Sequence, residues 1–188
     1  MILPIVAYGH PNLRKVSVDV TPEYPGLEQF LADLWESMYR SNGVGLAAPQ
    51  VNRQIRIFVI DATPYIKTYP EAEGFKKVFI NARIIEKKGD FWDYSEGCLS
   101  IPDVHEDVSR PAEVHITYYD EQFNFHDEWF IGINARVIQH EYDHLDGILF
   151  VDKIHALRKI MLKRKLLEIS KGEVDVSYKM IFPPKKRK

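Results

Sequence analysis

One pentapeptide constrains this chain more than any other feature: His140-Glu141-Tyr142-Asp143-His144, an H-E-x-x-H pattern within a stretch, Ile133 to Leu145, free of Gly and Pro. Residues four apart on an α-helix lie one turn apart on the same face, so both imidazoles reach a common point if this stretch is helical. Ile133, Val137, His140 and His144 then share one stripe, and Gly147 stands where the helix should close. Such a pair can hold a metal ion, with the intervening glutamate beside it to handle the proton of a metal-bound water. The plainer alternative is a polar helix face carrying two solvated histidines. Ile133, Val137 and Ile148 around the motif argue for a core helix instead, where free histidines would need partners.

Two histidines do not complete a site, because catalytic metal centres usually have three protein ligands and one open position. The run from His144 to Phe150 keeps the metzincin spacing but ends in Phe150 where a third histidine belongs. Glu168 is one other candidate, as in a gluzincin-style peptidase, although Arg164 four residues earlier offers it a surface ion pair. Cys98 is the remaining one. A lone cysteine is commonly a small buried hydrophobe. Here Gly97 precedes it and Pro102 follows four residues later, punctuation that suits a tight turn presenting a side chain and backbone N–H groups. A thiolate with two imidazoles would suit zinc or Fe(II). The segment Gly43 to Gln50, GVGLAAPQ, superficially matches a dinucleotide fingerprint, but it follows a helix pattern and Pro49 disfavours continuation into another. Its small residues suit close approach of an extended ligand, with the Gln50 amide available as a donor.

The remaining pattern indicates α+β architecture. Leu27, Phe30, Leu31, Leu34 and Met38 have helical spacing, with Asn42-Gly43 as a stop. Ile55 to Ile60, Val78 to Ile80, Arg83 to Glu86 and Phe91 to Tyr94 read as short strands, and Asp61 to Lys76 as a polar loop. Val114 to Tyr119 and Phe125 to Ile131 read as a hairpin pair, His155 to Ser170 as a helix with Leu157, Ile160, Met161 and Leu167 on its apolar side, and Val174 to Phe182 as an edge strand. At 188 residues, 45% hydrophobic and 28% charged, the chain is expected to be one compact domain (1–152) with a basic helix and tail (153–188) packed on it or extending from it. Residues 153–188 carry 12 Lys/Arg against 3 Asp/Glu, whereas the preceding residues carry 13 against 24. So acidic a body is a poor non-specific nucleic-acid binder, while the tail could meet an anionic surface. The ending Pro183-Pro184-Lys185-Lys186-Arg187-Lys188 has the look of an import signal, with a solvated terminus as the plainer reading. One cysteine excludes an intramolecular disulfide framework and points to a reducing compartment, the cytoplasm by default. No stretch has the apolar length of a membrane span, and the N-terminus lacks the pattern of a signal peptide.

Taken together, GVGLAAPQ at 43–50, EGCLS at 96–100 and HEYDH at 140–144 occur in this order and spacing in peptide deformylases. The chain resembles a bacterial-type member over residues 3 to 152, and GHPNLRKVS (9–17) and Gln50 to Asp61 are similar as well. The resemblance implies antiparallel β-sheets packed around a central helix that carries the histidine pair, with a C-terminal helix. It implies that Cys98, His140 and His144 bind one ion, usually Fe2+, with Zn2+, Ni2+ or Co2+ as substitutes. Glu141 would be the general acid/base, Gln50 and the Leu99 N–H the oxyanion hole, and Gly45, with Val44 beside it, a backbone hold on the substrate. The implied activity removes the formyl group from the N-terminal formyl-methionine of new polypeptides by attack of metal-bound hydroxide on the formyl carbon. Ile133, Val137 and Tyr94 are expected to wall the methionine pocket, although each could equally be plain core. The expected partners are formyl-methionyl nascent peptides and, through the basic C-terminal region, the ribosome; no membrane and no specific DNA are expected. The chain departs from the family pattern at His105, where many relatives have arginine, and at Arg136, where an apolar residue is common; the 61–76 loop and the region after Asp152 match poorly.

Overall fold

The computed structural model describes residues 1–184, and the basic run Lys185–Lys188 lies outside them. Strands β2 (Gly45–Ala47), β3 (Ile57–Asp61), β4 (Lys76–Cys98), β5 (Ile101–Tyr119) and β6 (Phe125–Ile131) form one antiparallel sheet in sequence order. Three of the short strands read from the sequence are pieces of the single β4. Register shifts between Ile80 and Arg83, Ile84 and Glu86, and Lys88 and Phe91 break the alternation. Bulges of this kind bend a strand and add twist without ending it. The β5–β6 hairpin has the expected place, with Tyr119 paired to Phe125. Its turn is tied by Asp120, whose carboxylate accepts from the Gln122 and Asn124 amides.

The sheet is covered on both faces. In β3, Phe58 and Ile60 face one core and Ile57 and Val59 the other, which explains the unbroken apolar run in a strand of alternating side chains. Helix α1 (Leu27–Arg40) lays Leu31, Leu34 and Met38 on the second core. Helix α2 (Gly132–Leu145) lies on the first, where Ile133, Ala135 and Ile138 meet Phe58, Phe79 and Ile116. The Asp61–Lys76 segment is less a polar loop than an aromatic flap. Tyr65 and Tyr69 pack on the first core, and Glu71 accepts the Ile133 N–H at the start of α2.

Helix α2 is buried nearly all round. From Ile133 to Leu145 only His140 and Tyr142 are partly exposed, yet the helix carries Asn134, Arg136, Gln139, Glu141, Asp143 and His144 into the interior. Buried polar groups of this kind must be paired by the surrounding sheet.

The C-terminal region differs from expectation in two respects. Helix α3 (Ala156–Lys171) is present, but Leu157, Ile160, Met161 and Leu167 are 52–69% exposed. The helix instead buries Leu166 and Ile169 in a third core with Val6, Leu13, Ile101, Val108 and Phe150. The strand expected over 174–182 is confined to β7 (Met180–Ile181), which pairs in parallel with β1 (Ile5–Val6) as a separate two-stranded sheet. No helix among the described residues is long and apolar enough to cross a membrane.

Candidate metal centre and substrate cleft

Strands β4 and β5 meet at a two-residue turn, Leu99-Ser100, because Cys98 pairs with Ile101. One residue earlier Gly97 pairs with His105, and a Cβ on Gly97 would lie 2.6 Å from the His105 Nε2. A larger residue before the cysteine would have to displace the exposed His105 ring. The turn delivers the Cys98 thiol to the face of α2 that carries the histidines. Cys98 Sγ lies 3.4 Å from His144 Nε2, and one ligand atom each from Cys98, His140 and His144 fall within 4.8 Å of one another. The His140 Nδ1 is engaged by Glu96 Oε2 at 2.9 Å, which leaves Nε2 as the atom it can offer to an ion. Burial, with the neighbouring His140, holds the His144 imidazole well below its ordinary pKa, the neutral form that a ligand must have. One sulfur and two imidazole nitrogens, one of them oriented by a carboxylate, fit a four-coordinate ion with an open corner.

The carboxylate that holds His140 is the hub of a buried charge network. Arg110 grips Glu96 with Nε at 2.7 Å from Oε1 and Nη2 at 2.9 Å from Oε2, while its Nη1 reaches Asp143 at 2.7 Å. Arg136 adds Nη1 to Glu96 Oε1 at 2.9 Å and to the Val108 carbonyl at 2.8 Å, and stacks 4.5 Å over the Trp92 ring. Burial opposes ionisation of Glu96, but Arg110 and His140 outweigh it and hold the carboxyl far below the ordinary carboxylate range. Asp143, the fourth residue of the histidine motif, is thereby clamped to the strand that also clamps the His140 partner.

Around this centre lies a cleft of about 580 Å³. Gln50 enters it from the short turn after β2. Its Oε1 accepts the Ala47 N–H at 2.9 Å, which turns Nε2 toward Cys98 Sγ at 3.4 Å and Ser100 Oγ at 3.3 Å. Gly45 passes so close to Glu141 that a Cβ there would lie 2.5 Å from Oε1. Glu141 is buried, its Oε2 has no hydrogen-bond partner, and burial pushes its carboxyl up to about 7. A carboxyl so placed can hold or release a proton near neutrality.

Of the residues singled out from sequence, Val44, Gly45, Gln50, Tyr94, Leu99 and Val137 line this cleft together with Cys98, His140 and Glu141. Ile133 does not. It is fully buried in the first core, two turns from His140, where the apolar stripe of α2 has already passed under the sheet. Glu168 pairs with Arg164 at 2.9 Å and takes no part in the ligand cluster, so the gluzincin alternative loses its third ligand. Both departures lie in the cleft: His105 under Gly97, and Arg136 on the network that holds Glu96. Tyr65 and the Asp175–Tyr178 segment also line it, unforeseen from sequence. Glu96 had a local signal, since it sits two residues before Cys98 and so on the same face of the strand. Tyr65, Arg110 and Tyr178 had none.

A cleft of this kind, with a cysteine thiol, two helical histidines and a buried carboxyl at one centre, defines a metallohydrolase. The family model for polypeptide deformylase matches residues 2–160. A peptide deformylase from Christiangramia forsetii is 50% identical over 194 residues, covering 100% of this chain and 99% of the relative. One from Flavobacterium psychrophilum is 51% identical with full coverage of both. Among solved structures, a Plasmodium falciparum peptide deformylase in complex with an inhibitor superposes with a TM-score of 0.77 at 37% identity, covering 89% of this chain and 99% of that one. A Legionella pneumophila peptide deformylase gives 0.79 at 31% identity, covering 92% and 98%. The chain belongs to the polypeptide deformylase family, metal-dependent hydrolases that remove the formyl group from nascent peptides.

The charge network generates a stability prediction. Replacing Arg110 with methionine leaves Glu96 and Asp143 buried with fewer partners, and removing one member of such a set typically costs about 3–5 kcal/mol. Urea unfolding of the Arg110→Met variant should show a loss of that order. A loss below about 1 kcal/mol would mean that the interior relaxes to solvate the two carboxylates.

Proposed function

We propose that Cys98, His140 and His144 hold one Fe2+ ion, with Zn2+, Ni2+ or Co2+ as substitutes, and that the residues around them carry out the deformylation. The observation that carries this reading is the convergence of the three ligand atoms within 4.8 Å beside an unpartnered Glu141 oxygen. When bound, the ion polarises the formyl carbonyl and acidifies a water. Glu141 takes the proton of the attacking water on Oε2 and returns it to the departing amine, which otherwise leaves poorly. Gln50 Nε2, its amide oriented by Ala47, and the Leu99 N–H donate to the formyl oxygen as negative charge builds there. Gly45 and Val44 offer backbone groups to the extended peptide, and the absence of a side chain at Gly45 keeps room for Glu141. Val137 and Tyr94 wall the space for the methionine side chain. The small formyl group fits between the ion and the two donors; a peptide carbonyl with chain on both sides does not.

Residues 1–152 are the catalytic domain, and 153–188 a basic C-terminal region packed on it through Leu166 and Ile169, with Asp175–Tyr178 reaching the cleft. We further propose that this extension docks on ribosomal RNA in the cytoplasm. Lys159, Lys163 and Arg164 are exposed on α3, beside the uncovered Leu157, Ile160 and Met161.

Formate release from a formyl-methionyl peptide, using anaerobically purified protein, tests the catalytic reading. Glu141→Ala should abolish turnover, and Gln50→Ala should lower it by about 10²–10³ with metal content intact. Loss of metal in Gln50→Ala would make that residue a structural support of the site. Ribosome co-sedimentation should weaken steeply between roughly 50 and 200 mM salt and on the triple change Lys159→Glu, Lys163→Glu, Arg164→Glu. Binding indifferent to both would refute the docking.

A further inference from the structure

The Leu99-Ser100 turn is tied by residues from opposite ends of the chain. The Tyr178 hydroxyl donates to the Leu99 carbonyl at 2.8 Å, and the Tyr8 N–H donates to the Ser100 carbonyl at 2.8 Å. Both arrive by way of the small parallel sheet. Ile5 N–H donates to the Lys179 carbonyl and Ala7 N–H to the Ile181 carbonyl, each at 2.8 Å, so that β1 and β7 enter the turn region side by side. The segment Asp175–Tyr178 lines the same cleft as Gln50, Cys98 and Glu141. The family model ends at residue 160, so this wall of the cleft lies beyond the part that it matches.

We propose that Tyr178 is a positioning residue for deformylation: its hydroxyl fixes the Leu99 carbonyl, and through the backbone of that residue the direction of the Leu99 N–H. The inference rests on the reading of that N–H as an oxyanion donor. Leu99 is the first of the two turn residues, and a turn peptide is free to rock unless its groups are tied. Upstream it is anchored by Cys98. Downstream the backbone ties are Tyr178 on its own carbonyl and Tyr8 on the next, with Gln50 on the Ser100 hydroxyl. A donor stabilises developing charge best when it needs no reorganisation at the moment of reaction. A hydroxyl on the carbonyl of the same residue supplies that order without occupying the N–H. The ring of Tyr178 packs against the second core, so the hydroxyl can be removed while the packing stays.

The test is Tyr178→Phe in the full, metal-loaded chain, with steady-state kinetics on a formyl-methionyl peptide, metal stoichiometry, and hydrogen exchange of the Leu99 amide. Loss of one neutral hydrogen bond should lower kcat roughly three- to tenfold. KM and metal content should stay unchanged, and Leu99 exchange should quicken. Met180→Ala serves as control, since it loosens the same terminus without touching the hydroxyl and should leave kcat unchanged. Wild-type kcat and wild-type Leu99 exchange in Tyr178→Phe would overturn the proposal, as would an equal fall in kcat in both variants, which would mean that the terminus acts by packing alone. If the wild-type protein releases no formate, the functional reading fails, whereas the exchange measurement still judges the tie between Tyr178 and Leu99.

Discussion

The structure depends on the Glu96 carboxylate. It lies in the interior at the end of a long strand and accepts from Arg110 twice, Arg136 once and His140 once. An isolated buried carboxylate would be untenable. Surrounded by two guanidiniums it stays ionised, and the remaining direction of its charge is spent on orienting an imidazole. Arg110 extends the same tie to Asp143 on the helix. The strand that ends in Cys98 and the helix that carries His140 and His144 are therefore joined by ionic contacts a few ångströms behind the three ligand atoms. Register between thiol and imidazoles, the quantity that any bound ion depends on, is set there.

The same logic explains why α2 can be so polar and so buried. Arg136, Gln139 and Asp143 each find a partner on the sheet: the Val108 carbonyl, the Pro111 carbonyl and Arg110. Glu141 Oε2 and His144 Nδ1 are among the few buried side-chain atoms left without one. Ser17 Oγ, Gln54 Oε1, Trp92 Nε1, Asn134 Oδ1 and Arg136 Nε share that state, so it is the nearness of Glu141 and His144 to Cys98 and His140 that sets these two apart. The glycine at 45 belongs to this arrangement, since it leaves out a Cβ where the buried Glu141 carboxylate lies.

Much of the site was legible because its chemistry imposes local spacing. The histidine pair needs a helical turn, the cysteine a tight hairpin, and the GVGLAAPQ segment small residues; all three leave marks within a few residues. The strands were legible as fragments only, since each bulge in β4 resets the alternation that identifies a strand. The apolar stripe of α3 is legible as a face yet lies open, because helical periodicity reports a face and not what covers it. Arg110, Tyr65 and Tyr178 were invisible for a different reason. The partners that place them at the site, Glu96, Tyr94 and Leu99, are 14 to 79 residues away, and a tyrosine or arginine in a strand or loop has no pattern that names a distant contact. Ile133 takes the core side of its two readings: two turns along a helix is far enough to leave the cleft and enter the core.

The account stands on the Cys98 sulfur meeting the same ion as both histidines. Optical spectroscopy of the Co2+-loaded protein tests this directly, since a thiolate ligand gives a near-ultraviolet charge-transfer band and a four-coordinate site gives intense visible bands. The band should be present in the wild-type protein and lost in Cys98→Ser. A Co2+ form bound by His140 and His144 with no thiolate band, or a band that survives Cys98→Ser, would contradict it.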